Sequence, residues 1–385
     1  MTKVLKSTFI ILFCTLIVIF SCVKVEVAIA DSGFDISSKS AILIEYNTGE
    51  VLFKKDENEH LPVASMVKMM TILLALEELD EGNVNLGTQI YVSENASGMG
   101  GSQVFLDAFE NYSFEDLLKS VIVSSANDAS VALAEHFNGS EKAFVNRMNK
   151  RAKELSLTDT HYVNCTGLPA PEQYSSANDS AKLLKELLKH EEYHKYSTIW
   201  TDTLVHPSGR TTQLSNTNKL VRFYDGCDGG KTGSTNEAGC CLSASAKKDD
   251  MRLISVLIGA ENSKTRFNET ALLFNYGFKN FESKNLVHSD LPIGQIEVLK
   301  GEKCLIDVFA DEDFSAVVEK GGNGDYETQI ELEKTIYAPV YENRQVGKVK
   351  VLKNGQIVKI IPIKTGEDVS RISLFDTIKQ IVFSW

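Results

Sequence analysis

The sequence lacks a cysteine pattern that would define a disulfide framework or a zinc site. Two of its seven cysteines, Cys14 and Cys22, lie in an apolar N-terminal segment. The other five are Cys165, Cys227, Cys240, Cys241 and Cys304. Five is an odd number, and the adjacent Cys240 and Cys241 would point to opposite faces of a strand, so no set of pairs follows. No spacing resembles that of zinc ligands, and we predict neither a metal nor another cofactor.

The sequence is also poor in positive charge. Its 40 lysines and arginines are outnumbered by 52 aspartates and glutamates, which gives a formal net charge of −12. A chain this acidic is a poor candidate for binding nucleic acid or for coating anionic lipid through charge. With 43% hydrophobic and 24% charged residues, the composition is that of an ordinary globular protein. The length of 385 residues suffices for one large domain and one small one.

The N-terminal apolar run is shorter than the roughly 20 residues that a membrane-spanning helix needs. Two lysines come first, followed by an apolar run over residues 9–20 and by small residues at Ala28 and Ala30. This pattern is typical of a secretory signal, so we predict that residues 1–30 are a signal peptide and that the mature protein is exported. An uncleaved anchor and a lipoprotein signal at Cys22 remain as alternatives, and both would export the rest of the chain.

The middle of the chain contains both strand and helix patterns. Residues 40–55 have the pattern of a two-stranded hairpin, and residues 66–79 have apolar side chains at helical spacing. Further helices are predicted at residues 114–123, 127–137, 141–155, 178–189 and 264–281, and strands at residues 239–246 and 252–260. Strands that flank a block of helices indicate an α/β or α+β domain, in which helices cover an antiparallel sheet. We place this domain at residues 31–284.

Toward the C-terminus the pattern changes to short alternating runs broken by glycine and asparagine. We predict a small all-β domain over residues 285–365, without a catalytic set of its own. In residues 366–385 the apolar side chains fall on one stripe at about 100° per residue, which predicts an amphipathic helix. Its charged residues argue against spanning a bilayer, and its terminal position favours binding to the membrane surface. Packing against its own domain is the alternative.

A serine and a lysine three residues apart lie at the start of the first strong helix pattern. Their spacing places Lys68 one helical turn from Ser65, within reach of its hydroxyl. A helix N-terminus also disfavours positive charge, which helps to keep this amine neutral. The pair alone is weak evidence, because further copies of the spacing begin at Ser21 and Ser245.

Two more short motifs follow in order along the chain. Ser125 and Asn127 lie between two predicted helices, and a Lys-Thr-Gly triplet at residues 231–233 comes just before the predicted strand pair. Taken alone, Ser125 and Asn127 could be helix caps. A second Lys-Thr-Gly triplet occurs at residues 364–366, between the β domain and the terminal helix, where we expect a linker.

Together and in this order, the three motifs resemble the signature of the penicillin-binding protein and serine β-lactamase superfamily. The surrounding segments, residues 64–71, 100–106, 125–129 and 228–233, look like those of low-molecular-mass D-alanyl-D-alanine carboxypeptidases. The resemblance extends over essentially the whole mature chain. It implies a β-lactamase/transpeptidase-like catalytic domain that acts on peptidoglycan stem peptides ending in D-Ala-D-Ala, with β-lactam antibiotics as covalent inhibitors.

The resemblance also implies roles for individual residues. Ser65 would be the nucleophile and Lys68 the base that accepts its proton. Ser125, held in place by Asn127, would pass a proton to the leaving amine. The substrate's terminal carboxylate would be bound by Lys231, Thr232, Thr235 and Arg266.

Three further implications concern the backbone and one side chain. Gly233 would let the backbone approach the substrate closely, and the amides of Ser65 and Ser234 would form the oxyanion hole. For Arg266 a plain surface salt bridge is an equal alternative. The resemblance breaks at residues 164–168, where relatives often carry a histidine before a Gly-Leu pair. This chain has a threonine there, so no role of that histidine can be transferred.

Other functions fit the sequence less well. A class A β-lactamase would need a deacylating glutamate in a Glu-x-x-x-Asn context, and none lies between Ser125 and Lys231. A D,D-endopeptidase acting on cross-links would share the motifs and differ only in pocket shape. A non-catalytic wall-binding module would not need all three polar motifs. We therefore predict a carboxypeptidase on the outer face of the cytoplasmic membrane, bound peripherally through its C-terminal helix.

Overall fold

The computed structural model of the chain describes residues 35–322 and 324–373. The predicted signal peptide, residues 1–30, therefore lies outside the described residues, as do residues 374–385 of the predicted terminal helix. Within the described ranges, no helix combines the length and the apolar character that crossing a bilayer requires.

An antiparallel sheet lies at the centre of the first domain. The strands of this domain are β1 (Ser40–Glu45), β2 (Val51–Lys55), β3 (Gln89–Tyr91), β4 (Asn111–Ser113), β5 (Thr201–Val205), β6 (Thr211–Ser215), β7 (Cys227–Thr235), β8 (Gly239–Lys248) and β9 (Met251–Ala260). The central sheet has the order β2-β1-β9-β8-β7, while β3 pairs with β4 and β5 pairs with β6. Strand β7 ends this order, so one of its edges is left without a neighbouring strand within the described residues.

Helices cover both faces of this sheet. They are α1 (Lys68–Asp80), α2 (Glu94–Ser97), α3 (Phe114–Ser124), α4 (Asn127–Asn138), α5 (Glu141–Glu154), α6 (Ala177–Leu187), α7 (Glu191–Ser197), α8 (Leu220–Phe223) and α9 (Ser263–Asn280). The first nine residues of α1 are all buried, because other helices and the sheet enclose it, which explains its nearly continuous apolar sequence. Helix α9 packs on β8 and β9. The predicted antiparallel sheet covered by helices is confirmed.

The second domain consists of strands. They are β10 (Phe281–Val287), β11 (Pro292–Leu299), β12 (Leu305–Ala310), β13 (Phe314–Glu319), β14 (Tyr326–Leu332), β15 (Thr335–Tyr337), β16 (Gln345–Lys353) and β17 (Gln356–Thr365). Six of them form a sheet in the order β14-β16-β17-β12-β11-β15, antiparallel except for the parallel pair β11 and β15. Buried aliphatic side chains give this domain a core of its own. A β domain is thus confirmed, and strand β10 crosses the predicted boundary at residue 284.

The second Lys-Thr-Gly triplet does not lie in a linker, as we had expected. Its first two residues end strand β17, where Thr365 pairs with Val308 and is buried. The inward positions Ile361 and Ile363 precede Thr365 at two-residue spacing, so the triplet continues the alternation of the strand. This copy is part of the second domain's sheet.

The predicted terminal helix is wrong for the part that the structure describes. Residues 366–373 have no helical turn. Val369 is buried and forms a bridge with Val340, and the amide of Ile372 donates a hydrogen bond to the carbonyl of Lys300. This stretch therefore packs on the β domain, whereas the predicted apolar stripe, which begins at Leu374, lies outside the described residues.

Candidate active site

Ser65 lies in a 3₁₀ turn, Ala64–Val67, directly before α1. The side chain of Lys68, the first residue of α1, donates a hydrogen bond from Nζ to Ser65 Oγ at 3.0 Å. Ser65 is partly exposed and Lys68 is fully buried. Ala64 has a φ of +48°, which is rare for a residue with a side chain and indicates local strain at the turn. The structure thus joins the amine and the hydroxyl, as their spacing indicates.

The amine of Lys68 is held in a low-dielectric environment. Burial lowers its pKa to about 7, against weaker opposing effects of nearby negative groups that include Asp128. Removal from water, which the sequence does not predict for this residue, is the main cause of the lowered pKa. Close to neutral pH, a substantial fraction of Lys68 is therefore uncharged and able to accept a proton.

A backbone carbonyl that sequence reasoning missed also contacts this amine. The carbonyl of Thr166 accepts a hydrogen bond from Lys68 Nζ at 2.5 Å. The loop approaches the nucleophile turn so closely that a Cβ on Gly167 would lie 2.1 Å from the carbonyl oxygen of Ala64. Side-chain type gives no signal for such a contact. The one indication in the sequence was Gly167 itself, because a glycine permits such a close backbone approach. In the structure its φ is +80°, a value that favours glycine.

The second motif joins two helices through a strained residue. Ser125 ends α3 with a φ of +61° and is buried. Its Oγ accepts a hydrogen bond from Lys231 Nζ at 2.7 Å. Helix α4 begins after Ala126 without any side-chain cap. Ser125 is the C-cap of α3, as the cap interpretation allows, whereas Asn127 is the first residue of α4 and does not cap it. The left-handed backbone at Ser125 turns its side chain toward a lysine of the sheet.

Asn127 is fixed by the loop that precedes β4. Its Nδ2 donates to the carbonyl of Gly100 at 2.7 Å, and its amide donates to the carbonyl of Ser102 at 2.7 Å. Its Oδ1 is buried and has no hydrogen-bond partner in the described part of the chain. A buried acceptor without a partner is uncommon and points to a functional position.

The side chain of Asp128 also binds the loop that precedes β4. Its fully buried carboxylate accepts hydrogen bonds from the amides of Val104 at 3.0 Å and Leu106 at 3.1 Å. Burial raises its pKa. Asp128 was not predicted from the sequence, because it lies in the first turn of its helix, where an acidic residue is common. It acts on the site through the loop that holds Asn127.

The third motif comes before the predicted strand pair, which the structure has as β8 and β9, but it lies inside a further strand, β7, that the sequence did not predict. Lys231 pairs with Ser243, and Ser234 pairs with Cys240. A Cβ on Gly233 would lie 2.3 Å from the carbonyl oxygen of Val63. Glycine is therefore required for β7 to pack against the nucleophile turn, a structural reason that differs from the predicted approach to substrate.

Lys231 faces Ser125. It is buried, and its Nζ donates to Ser125 Oγ and to the carbonyl of Thr232 at 3.0 Å. Burial, reinforced by the charges of Lys68 and Arg266, lowers the pKa of Lys231 well below its usual value. These contacts favour an action through Ser125 over the predicted direct binding of a carboxylate.

Arg266 is buried behind β7, which excludes the alternative of a plain surface salt bridge. From α9, its Nη1 donates to the carbonyl of Gly233 and to Ser234 Oγ, each at 3.1 Å. Ser234 itself is exposed, and Thr235 Oγ1 accepts a hydrogen bond from the amide of Ala238 in the turn to β8. Arg266 thus brings a fixed charge beneath the strand that carries the third motif.

A partly exposed serine hydroxyl beside a buried lysine amine is the arrangement expected of a serine enzyme that works by nucleophilic catalysis. Residues 25–262 match the D-alanyl-D-alanine carboxypeptidase family, and residues 281–371 match the C-terminal domain of penicillin-binding protein 5. The chain belongs to the D-alanyl-D-alanine carboxypeptidase family. The predicted family and enzyme class are confirmed.

Individual relatives agree with this assignment. The chain is 39% identical to D-alanyl-D-alanine carboxypeptidase DacF of Bacillus subtilis over 90% of each protein. It is 33% identical to DacC of Escherichia coli, over 90% of this chain and 88% of that protein. Penicillin-binding protein 5 of Haemophilus influenzae superimposes with a TM-score of 0.73 at 31% identity, covering 88% of this chain and 99% of the other.

The role of Asp128 can be tested by Asp128→Asn. The amide keeps the size but replaces one acceptor oxygen by a donor, so the loop that holds Asn127 should shift. We expect kcat for release of D-alanine to fall by up to about 10²-fold, the effect of a misplacement of about 1 Å. KM should change less.

The matched control for this variant is Asp179→Asn. Asp179 is also fully buried, and it accepts hydrogen bonds from the amide of Asp159 and from Thr160 Oγ1, with no contact to the three motifs. Both variants should lower the thermal midpoint of unfolding, but only Asp128→Asn should lower kcat. Equal losses of kcat would show that Asp128 acts on stability alone.

Proposed function

We propose that this protein removes the terminal D-alanine from peptidoglycan stem pentapeptides through an acyl-enzyme on Ser65, which limits cross-linking. The observation that carries this proposal is the 3.0 Å contact between Ser65 and a lysine whose pKa is lowered to about 7. The family assignment supplies the class of substrate. The geometry supports the following steps.

Acylation starts when the neutral amine of Lys68 accepts the proton of Ser65 and the hydroxyl oxygen attacks the carbonyl of the penultimate D-alanine. The amides of Ser65 and Ser234 donate to the resulting oxyanion. As the peptide bond breaks, Ser125 gives its proton to the leaving amine and is reprotonated by the adjacent Lys231. Terminal D-alanine leaves, and an ester on Ser65 remains.

Substrate binding uses the free edge of β7. A peptide that lies along this edge gains main-chain hydrogen bonds as an added strand. The partnerless Oδ1 of Asn127 supplies an acceptor for a substrate amide. The Thr232 hydroxyl binds the terminal carboxylate, with help from Thr235 at the end of the same strand, and the guanidinium of Arg266 beneath β7 adds positive charge near it. Within a chain of net charge −12, this cation makes the site attractive to an anionic end group.

Hydrolysis of the acyl-enzyme completes the cycle. Lys68, now protonated, releases its proton to bulk water, from which Lys231 is reprotonated. Lys68 then accepts a proton from the attacking water molecule and passes it to Ser65 as the ester bond breaks. The sequence has no Glu-x-x-x-Asn segment between Ser125 and Lys231 that would supply the deacylating glutamate of a class A β-lactamase. This favours a long-lived penicilloyl ester over rapid β-lactam hydrolysis.

The last residues of the chain are the candidate for attachment to the membrane. The stripe of apolar side chains begins after Ser373, and we propose that this segment binds the membrane surface after export. A domain boundary near residue 284 belongs to the same proposal, with the β domain between the catalytic domain and the membrane.

The nucleophile can be tested with a fluorescent penicillin. We expect the label on the peptide that contains Ser65, and we expect Ser65→Ala to lose both labelling and release of D-alanine. Ser245→Ala is the matched control, because Ser245 begins another copy of the Ser-x-x-Lys spacing and its buried Oγ has no hydrogen-bond partner in the described chain. Continued D-alanine release by Ser65→Ala would overturn the mechanism.

The lowered pKa of Lys68 predicts how acylation depends on pH. The rate constant for penicillin acylation should rise with pH, with a midpoint near 7, because Lys68 accepts a proton only when it is deprotonated. It can be followed by stopped-flow fluorescence between about pH 5 and pH 9, with circular dichroism to verify that the fold persists. A midpoint near the usual lysine value of 10.5 would contradict the proposed base.

Membrane attachment can be tested by ending the chain at Ser373. This truncation keeps Val369 paired with Val340, so the β domain retains the contacts that the structure describes. We expect the truncated protein to leave the membrane fraction and to retain full release of D-alanine. Retention in the membrane fraction would show that another part of the chain is the anchor.

A further inference from the structure

A cavity of about 540 Å³ lies beside the catalytic strand, between α8 and the first half of α9. Its volume is within the range of about 300–1,000 Å³ typical of small-molecule sites. Much of its lining is apolar and comes from Leu220, Phe223, Tyr224, Phe267 and Ala271. No step described so far uses this cavity.

Two lining residues of the cavity contact the guanidinium of Arg266 beneath β7. Ser263, which also lines it, accepts a hydrogen bond from Arg266 Nη2 at 3.2 Å, and the guanidinium lies over the ring of Phe267 at 4.7 Å. The other end of the same guanidinium donates to Ser234 Oγ at 3.1 Å. One side chain therefore separates the cavity from the strand residue whose amide is proposed to bind the oxyanion.

The side chains on the two faces of β7 contact different parts of the domain. Lys231 points toward Ser125 and the helices, whereas Ser234 points toward Arg266 and α9. Side chains alternate along a strand, so Thr232 shares the face of Ser234. Helix α9 packs on β8 and β9, and the cavity occupies the space next to it on this face. The side chains of an extended substrate beside β7 also alternate, so every second one points to the side of the sheet on which α9 lies.

We propose that this cavity is a leaving-group subsite for the side chain of a C-terminal D-amino acid larger than alanine, with D-leucine and D-phenylalanine as apolar examples. This proposal rests on the proposed function, in which Thr232 and Arg266 lie near the substrate's terminal carboxylate. The residue that bears this carboxylate is the one nearest to the cavity. Its side chain gains apolar contact there, while alanine leaves the cavity unfilled.

The chemistry is that of the carboxypeptidase reaction. The bond between the D-alanine carbonyl and the nitrogen of the terminal D-residue breaks, and the ester to Ser65 forms. The proton from Ser125 goes to the leaving amine, and the free D-amino acid departs. Water then hydrolyses the ester and regenerates Ser65.

Two lysines that line the cavity limit which side chains of the substrate's terminal residue can bind there. Lys219 and Lys264 line it, and neither has a carboxylate partner in the part of the chain that the structure describes. A side chain ending in an amine would meet two like charges there, which disfavours it. The subsite therefore selects apolar side chains over that of D-lysine.

The test uses the full chain and tripeptides of the form diacetyl-L-Lys-D-Ala-D-Xaa, in which D-Xaa is alanine, leucine, phenylalanine or lysine. Release of the terminal residue gives kcat/KM for each. For the wild-type protein we expect D-leucine and D-phenylalanine to be released at least as efficiently as D-alanine, and D-lysine at least about tenfold less efficiently than D-leucine.

A substitution that fills the cavity separates the subsite from the catalytic machinery. Ala271→Trp should lower kcat/KM for the D-leucine and D-phenylalanine peptides at least about tenfold, with the D-alanine peptide nearly unchanged. The matched control is Leu272→Trp on the same helix, because Leu272 is exposed and does not line the cavity. This control should leave all four values unchanged.

The outcomes distinguish failure of the subsite from failure of the function. Release of D-alanine but not of D-leucine by the wild-type protein would overturn the subsite and leave the carboxypeptidase intact. Loss of activity toward all four peptides in Ala271→Trp would also overturn it. Absence of release from every peptide by the wild-type protein would contradict the proposed function itself.

Discussion

The arrangement of the active site depends on keeping one lysine amine out of water. Lys68 opens a helix that is buried along its first nine residues, so the position of its side chain is set by the core of the domain. Its Nζ has two partners, the hydroxyl of Ser65 and the carbonyl of Thr166. An isolated buried charge is costly, so the protein stabilises the neutral amine, and this neutrality makes Lys68 a base near pH 7.

Close backbone packing on both sides of the nucleophile turn maintains this burial. Gly167 brings one loop against Ala64, and Gly233 brings strand β7 against Val63. A Cβ at either glycine would overlap main-chain atoms, so both positions exclude larger residues for reasons of packing. Lys231 in the same strand donates a hydrogen bond to Ser125, which gives the site a second serine–lysine pair.

The sequence allowed the order of the three motifs, most helices and the change to a β domain to be predicted, because these features depend on local spacing and periodicity. It did not reveal that Lys231 lies inside a strand, since Gly229 and Gly230 resemble a turn when read alone, although both are in register with β8. The role of the Thr166 carbonyl and the burial of Arg266 depend on tertiary contacts. The second Lys-Thr-Gly triplet, residues 364–366, follows a strand pattern of alternating side chains. We nevertheless expected a linker there, because the triplet lies between the β domain and the predicted terminal helix.

The most direct test of the account is the ionisation of Lys68, measured by NMR titration of the side-chain Cε in protein carrying ¹³C-labelled lysine, with Lys68→Ala to assign the signal. The account predicts a pKa of about 7 for this amine in the free enzyme. A pKa near 10.5, the usual value for lysine, would show that Lys68 is charged at neutral pH and would contradict its role as the base.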